Sequence, residues 1–556
     1  MSLGQFYKND GLAVASYAGD GSVLLAFDVD EDKTQNLAGF AVKAVTPHPG
    51  PYSSNEYWLK NRLSFSRFSS ENVLTPDMWV DSNKAPFQTF HWVHFPGAGP
   101  GKYVYTIYGC YFKGDGSIDL GPNVQVDVDL SYRAFSNLEL GFTRGYISSQ
   151  AYVDRFKNAD IRPKVKSIDF DTAPYEVQYE WLGAHARKMI FDFLEECLED
   201  VSISIDVFSY DFDEPDIIRK LVSMGPRVRV FQDDSKLHTE PGSVEPEVVS
   251  TLKQAGATVK TGHFKRFAHD KVMIQKKNGK AIKVLTGSAN FSVRGLYVQA
   301  NSVLVFDDSV TAELYEQAFE QAFNDDHSFK SANIASKWFE ATTNNNPAVS
   351  ISYAPHKTAF SLDTVSEVVD SANSSVFFAV METTGGGPVM PALENLSNRN
   401  NIFSLGTIEQ ESQLSLFKQG KNSGITSFDF LKKNVPKPFQ AEWKGGFGRV
   451  IHHKFIVCDF NSDDPVVFCG SSNLSQGGET SNGDNLIEIH DANIANNYAI
   501  EAIRLFDHYR FRNLHENSTT DQPLELDTTN EWTKPFYDPN DLKYQERKLF
   551  IGAQQS

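Results

Sequence analysis

The chain has 556 residues, 40% hydrophobic and 22% charged, a folded-protein composition too long for a single core. Its net charge of −19 and pI near 5.2 exclude a broadly basic surface for wrapping duplex nucleic acid, though not a local basic pocket. No apolar run of about 18 residues is present to span a membrane, and residues 1–10 lack the apolar segment of a secretory signal.

Residues 12–17, 23–28, 38–45, 87–95, 103–112, 124–130 and 138–147 are β-branched or aromatic runs separated by Gly, Pro, Asn and Asp. Such short strands without helical periodicity predict an antiparallel sandwich, immunoglobulin-like or C2-like. From about residue 165 the pattern alternates. Helices are expected over 179–198, 215–224, 246–255 and 310–323, with strands at 201–210, 228–232, 258 onward, 271–275 and 283–286. The plan then repeats, with helices over 364–372 and 494–509 and strands at 376–381, 454–459 and 466–469. Alternating elements imply sheets covered by helices. Residues 397–450 show no clear period. The tail from 516 to 556 is polar but carries Trp532, Phe536, Tyr537, Tyr544 and Phe550, so it is expected to pack on the body, as surface packing or as a lid. Cys110, Cys197, Cys458 and Cys469 lack zinc-site spacing and read as buried thiols, although Cys458 and Cys469 lie on neighbouring predicted strands.

One pattern occurs twice. His269 and Lys271 precede Gly287-Ser288-Ala289-Asn290; His452 and Lys454 precede Gly470-Ser471-Ser472-Asn473. His to Asn spans 21 positions in both copies (269 to 290, 452 to 473), and the copies are offset by 183 (269 to 452). Alternation along a strand puts the His and Lys of H-x-K on one face. Gly permits a tight turn, and Ser and Asn add short polar groups at the same edge. A cluster of His, Lys, Ser and Asn suits a phosphate, whose transition state spreads negative charge. The lysines supply the cations, so neither metal nor cofactor is called for. With both copies facing one phosphate, one His can attack phosphorus while the other protonates the leaving oxygen. A phosphohistidine would then be opened by water or another alcohol.

These residues resemble the phospholipase D superfamily, whose motif is H-x-K-x4-D followed by G-S-x-N. The resemblance covers about 165 to 515. It implies an α/β fold: two α-β-α sandwich repeats, 165–335 and 345–515, forming a pseudo-dimer behind an all-β sandwich at 1–160, with the tail 516–556 packed on the body. The second copy matches fully through His452, Lys454, Asp459, Gly470, Ser471 and Asn473; in the first, Lys276 stands where the motif has Asp. The superfamily also places an acid near the end of the unit to orient the His. In the second copy Asp484 or Glu488 fits that role, whereas Gln299-Ala300-Asn301-Ser302-Val303 in the first has no acid. The resemblance implies His269 as nucleophile and His452 as general acid. Ser288, Asn290, Ser471, Asn473, Asp459, Asp484 and Glu488 are the expected phosphate-binding or supporting groups. The N-terminal stretches 11–15 and 61–65 also look like the murine-toxin type of bacterial phospholipase D.

Three readings compete. The leading one is hydrolysis, with or without head-group transfer, of the distal phosphodiester of a glycerophospholipid at a membrane or micelle surface. Another is a nuclease of the same superfamily. The third is a phosphate-binding module without turnover. One chain suffices for the centre, so no oligomer is required. Lack of a signal favours the cytoplasm, with non-classical export open. Lys260, His263, Lys265 and Arg266 line either the phosphate entrance or a solvated loop. His453 is expected to point into the core. Asp28, Asp30, Glu31 and Asp32 form either a calcium loop of a C2-like domain or a plain acidic loop.

Overall fold

The computed structural model describes residues 4–47, 55–66, 78–145, 149–164, 167–341, 347–381, 384–409, 423–427 and 451–552. Most of the 397–450 stretch that lacks a period therefore lies outside the described residues.

The N-terminal part is two antiparallel four-stranded sheets. One runs Gln5–Asn9, Leu12–Ala18, Val23–Val29, His91–His94; the other Ile118–Asp129, Lys102–Phe112, Leu37–Val45, Glu56–Trp58. Alternate residues such as Val14, Leu25, Phe40, Val42, Tyr105 and Ile107 close one core between them. The run at 138–147 does not join this sandwich. Its described strand, Leu138–Phe142, pairs with Ser302–Phe306 in the first of two larger sheets. Hydrophobic alternation predicts a strand there but carries no information about which edge receives it.

Each larger sheet has eight strands in the same order. The first runs Ala134–Phe135, Leu138–Phe142, Ser302–Phe306, Lys280–Gly287, Val272–Lys277, Ile203–Ser209, Val228–Asp233, Thr258–Gly262. The second runs Phe339–Glu340, Ala348–Ala354, Asp484–His490, Val466–Gly470, Lys454–Cys458, Ser375–Val380, Phe403–Ile408, Ser423–Ser427. Both are mixed: Ile203–Ser209 pairs parallel with Val228–Asp233 and antiparallel with Val272–Lys277, and Ser375–Val380 repeats this with its neighbours. The central strands are buried along their length, as expected where helices cover a sheet.

The repeats meet at two isolated parallel bridges, Ala268 to Gly483 and Ala300 to Ile451. His269 N donates to Gly483 O at 2.8 Å, and His452 N donates to Ala300 O at 3.2 Å. Each motif histidine is thus hydrogen-bonded through its backbone to the other repeat. The tail packs on the body. Trp532 Nε1 donates to Leu37 O, Tyr537 OH to Val29 O, and Phe536 and Phe550 are buried in two different cores. These anchors meet the sandwich and the second sheet rather than the motif residues, so they act as packing and not as a lid.

The four cysteines are buried free thiols, and Cys458 pairs in register with Val466 rather than Cys469. In the acidic loop, Asp28 pairs with Arg547 and Asp30 with Lys8. The one carboxylate trio among the described residues with metal-like spacing, Asp206, Glu316 and Glu320, already holds Arg229 and Lys276.

Candidate active site

The H-x-K residues sit at the mouths of the central strands Val272–Lys277 and Lys454–Cys458. The G-S-x-N segments follow the adjacent strands. The motif glycines are required by their backbone. Gly287 has φ of +140° and Gly470 +126°, and a Cβ there would lie 2.3 Å from Ser302 O and 2.5 Å from Asn485 O.

The two imidazoles face each other with ring centroids 6.4 Å apart, both nearly buried. Their second nitrogens are tied crosswise. His269 Nδ1 lies 2.6 Å from Asp484 Oδ1, a residue of the second repeat. His452 Nδ1 lies 2.8 Å from Asn301 Oδ1 and 3.0 Å from Ser288 O, both of the first repeat. With Nδ1–H held this way, the lone pair of each imidazole is on its Nε2. Lys454 Nζ donates to His452 O at 2.8 Å, and Lys271 Nζ donates to His269 O. Both lysines are buried. The cluster therefore holds two imidazoles and two ammonium groups around one gap.

The same packing shifts the titration of both histidines, Asp484 and Lys271. Burial, then the charges of Lys271 and Lys454, hold His269 well below its ordinary value; burial and the same lysines do so for His452. Burial pushes the Asp484 carboxyl up to about 7 against the pull of Lys271. Burial brings Lys271 down to about 8 although four carboxylates oppose it.

The predicted supporting residues divide. Ser288 and Ser471 are buried beside the histidines, but their hydroxyls serve the scaffold. Ser288 Oγ accepts from Ser302 N and donates to Asn301 Oδ1; Ser471 Oγ accepts from Asn485 N and donates to Asp270 Oδ1. Asn290 Nδ2 donates to Asp211 Oδ2 at 2.8 Å, which leaves its Oδ1 buried without a partner, as is Asn473 Oδ1. Three expectations change. Asp484 orients His269, not the histidine of its own repeat. Glu488 pairs with His490 and takes no part in the cluster. Asp459 lies at the far end of its strand, where it accepts from Asn373 N, Ser374 N and Ser374 Oγ and closes a turn. Its counterpart Lys276 likewise points away, into Glu316 and Asp206. The first copy's departure at Lys276 therefore leaves the cluster intact. His453 does point into the core, with Nε2 2.9 Å from Glu501. In the basic loop Lys260 is paired to Asp326 and His263 to Asp234.

Sequence reasoning missed a second tier. Tyr210 stands edge-on to His269 with ring centroids 4.9 Å apart, and Lys271 Nζ lies 4.9 Å from the same ring. Asp211, partly exposed beside it, meets His238 at 3.1 Å, and His238 meets Asp233 at 2.7 Å. Burial opposes ionisation of Asp211, but the hydrogen bond and charge of His238 hold the carboxyl down at about 2. The available signal was a polar Tyr-Asp pair at the carboxyl end of strand Ile203–Ser209, the edge where α/β sheets place their ligands.

The family model described as "Cardiolipin synthase, PLD-like domain" matches residues 194–323 and 365–506. The mitochondrial cardiolipin hydrolase of Xenopus tropicalis is 26% identical over 125 residues, 22% of this chain and 55% of that protein. The chain thus spans about half the length of the curated relatives it matches. Among solved structures, phosphatidylserine synthase of Haemophilus influenzae aligns with a TM-score of 0.40 at 10% identity, covering 65% of this chain and 91% of that one. Nuc, a phospholipase D family member from Salmonella typhimurium, aligns with a TM-score of 0.21 at 23% identity, covering 24% and 85%.

Proposed function

We propose that the two regions matched by the family model are phospholipase D-like domains that together build a single phosphodiesterase centre, which cleaves the head-group ester of a glycerophospholipid. The observation that carries this reading is the facing pair of histidines, 6.4 Å apart, with the carboxylate of Asp484 behind only one of them.

That asymmetry supports His269 as the nucleophile and His452 as the general acid. His269 Nε2 attacks phosphorus, and the bond from phosphorus to the head-group oxygen breaks. His452 delivers the proton to that oxygen, so the head group leaves as an alcohol rather than an alkoxide. The ring of His269 becomes cationic as the phosphorus–nitrogen bond forms, and Asp484 stabilises that charge as a neutral amide such as Asn301 does not. Lys271 and Lys454 hold the phosphoryl oxygens. Water, deprotonated by His452, then attacks phosphorus and releases His269; an alcohol in its place gives head-group exchange. The depressed titration of His452 needs an incoming anionic phosphate to raise it before it can serve as acid.

A lipid substrate is supported by the cardiolipin chemistry in the names of the matched family and relatives, and by a net charge of −19 that repels a polyanion. The test is turnover of phosphatidylcholine, phosphatidylethanolamine and cardiolipin vesicles beside single- and double-stranded DNA, with EDTA present. Head-group release from vesicles, lost by on the order of 10³-fold or more in both His269→Ala and His452→Ala, is expected. Cleavage of DNA without lipid turnover would move the centre to nucleic-acid chemistry. No turnover of either substrate would leave a binding module.

A further inference from the structure

A second cationic cluster lies where the N-terminal sandwich meets the second repeat. Arg504, His508 and Arg512 fall on one face of the helix Ala492–Asn517, four residues apart. Arg62 approaches from the sandwich, its guanidinium 5.3 Å from the Phe511 ring and 5.5 Å from Trp79. Arg144, just past strand Leu138–Phe142, sits 4.5 Å from the Phe95 ring, and Arg504 approaches the same ring at 5.4 Å. Three separate parts of the chain thus deliver like charges to one junction, in a protein that carries 71 acidic against 52 basic residues.

The local carboxylates neutralise it only in part. Glu501 is shared by Arg504 and His453, and Asp507 is engaged by His91. Among the described residues neither Arg62 nor Arg144 has a carboxylate at ion-pair distance, and Arg144 Nε is buried without a hydrogen bond. His508 is 7% exposed, and its Nε2 is buried with no partner. Burial, with the neighbouring guanidinium charges, pulls both Arg62 and Arg144 down to about 10 and holds His508 well below its ordinary value. Partly buried, mutually repelling and partly unbonded donors are costly. A bound anion would offset that cost.

We propose that this junction binds a phosphate-bearing anion, centred on the His508 Nε2 between Arg62 and Arg504, with Arg144 at its margin. Guanidinium groups suit phosphate oxygens through paired N–H donors. The site touches the catalytic region through one relay: Arg504 to Glu501 at 2.7 Å, then Glu501 to His453 at 2.9 Å, between His452 and Lys454. An anion that takes up Arg504 leaves Glu501 to His453 alone, so occupancy is felt at the second motif.

Pyrophosphate binding by equilibrium dialysis tests this, because the catalytic gap is a separate anion site that can be removed independently. Wild type is expected to bind two equivalents. Lys271→Gln/Lys454→Gln and Arg62→Gln/Arg144→Gln should each bind one. A thermal melt of the Lys271→Gln/Lys454→Gln chain with pyrophosphate needs no junction variant and should show a rise in Tm. Sedimentation with vesicles of phosphatidylcholine, with and without phosphatidic acid, separates the sources. Phosphatidic-acid binding lost in Arg62→Gln/Arg144→Gln marks a lipid head group. Unchanged sedimentation beside a lost pyrophosphate equivalent marks a free anion. A single wild-type equivalent that Lys271→Gln/Lys454→Gln abolishes, with no Tm rise and no junction-dependent sedimentation, would overturn the proposal.

Discussion

At the scale of single residues, the centre works by exchange between repeats. The 215 positions separating His269 from Asp484 and the 151 separating Asn301 from His452 are closed only by the fold. A carboxylate behind one histidine and an amide behind the other make two near-identical motifs chemically unequal. This predicts the pH profile. As pH falls through about 7, Asp484 takes a proton and His269 loses its anionic acceptor. As pH rises through about 8, Lys271 loses the charge that the proposed mechanism uses to hold the phosphoryl oxygens. A narrow bell in kcat/KM between those limits is expected. Asp484→Asn should remove the acid limb and lower kcat on the order of 10²- to 10⁴-fold, read from rates between pH 5 and 9. The H-x-K and G-S-x-N residues were legible because their spacing is local. Asn301 was visible only as a missing acid, since no pattern within one copy says that its partner is the other copy's histidine.

At the scale of elements, the motif aspartate is a scaffold residue. Asp459 closes the turn before strand Ser375–Val380 with two backbone N–H donors and a hydroxyl, all at 3.0 Å or less. Asp459→Ala should therefore lower unfolding stability by about 1–3 kcal/mol while leaving kcat close to wild type, measured by denaturant unfolding beside steady-state rates. Sequence periodicity placed the helices and strands of both repeats well because buried central strands and amphipathic helices carry their own pattern. It failed at Leu138–Phe142. That strand has the alternation of a sandwich strand, yet the edge it completes belongs to the first repeat, and both edges accept the same pattern.

At the scale of the whole molecule, the tail ties the sandwich to the second repeat. Phe550 packs edge-on or tilted among Phe377, Phe403 and Phe460, while Tyr17 of the sandwich donates to the Phe550 carbonyl at 2.8 Å. Phe550→Ala should cost about 3–5 kcal/mol, seen as a lower denaturation midpoint, with the catalytic rate preserved at temperatures where the chain stays folded. By itself the sequence determined the duplicated motif, the order of strands and helices and the acidic balance, because each depends on neighbours along the chain or on composition. Tertiary structure alone decided which acid serves which histidine, that Asp459 and Glu488 stand outside the centre, and that arginines gather at the junction. The acid and amide behind the histidines lie 215 and 151 positions from them, and only the closing of two pseudo-symmetric sheets against one another brings them within hydrogen-bonding reach; the arginines meet only where the sandwich packs on the second repeat.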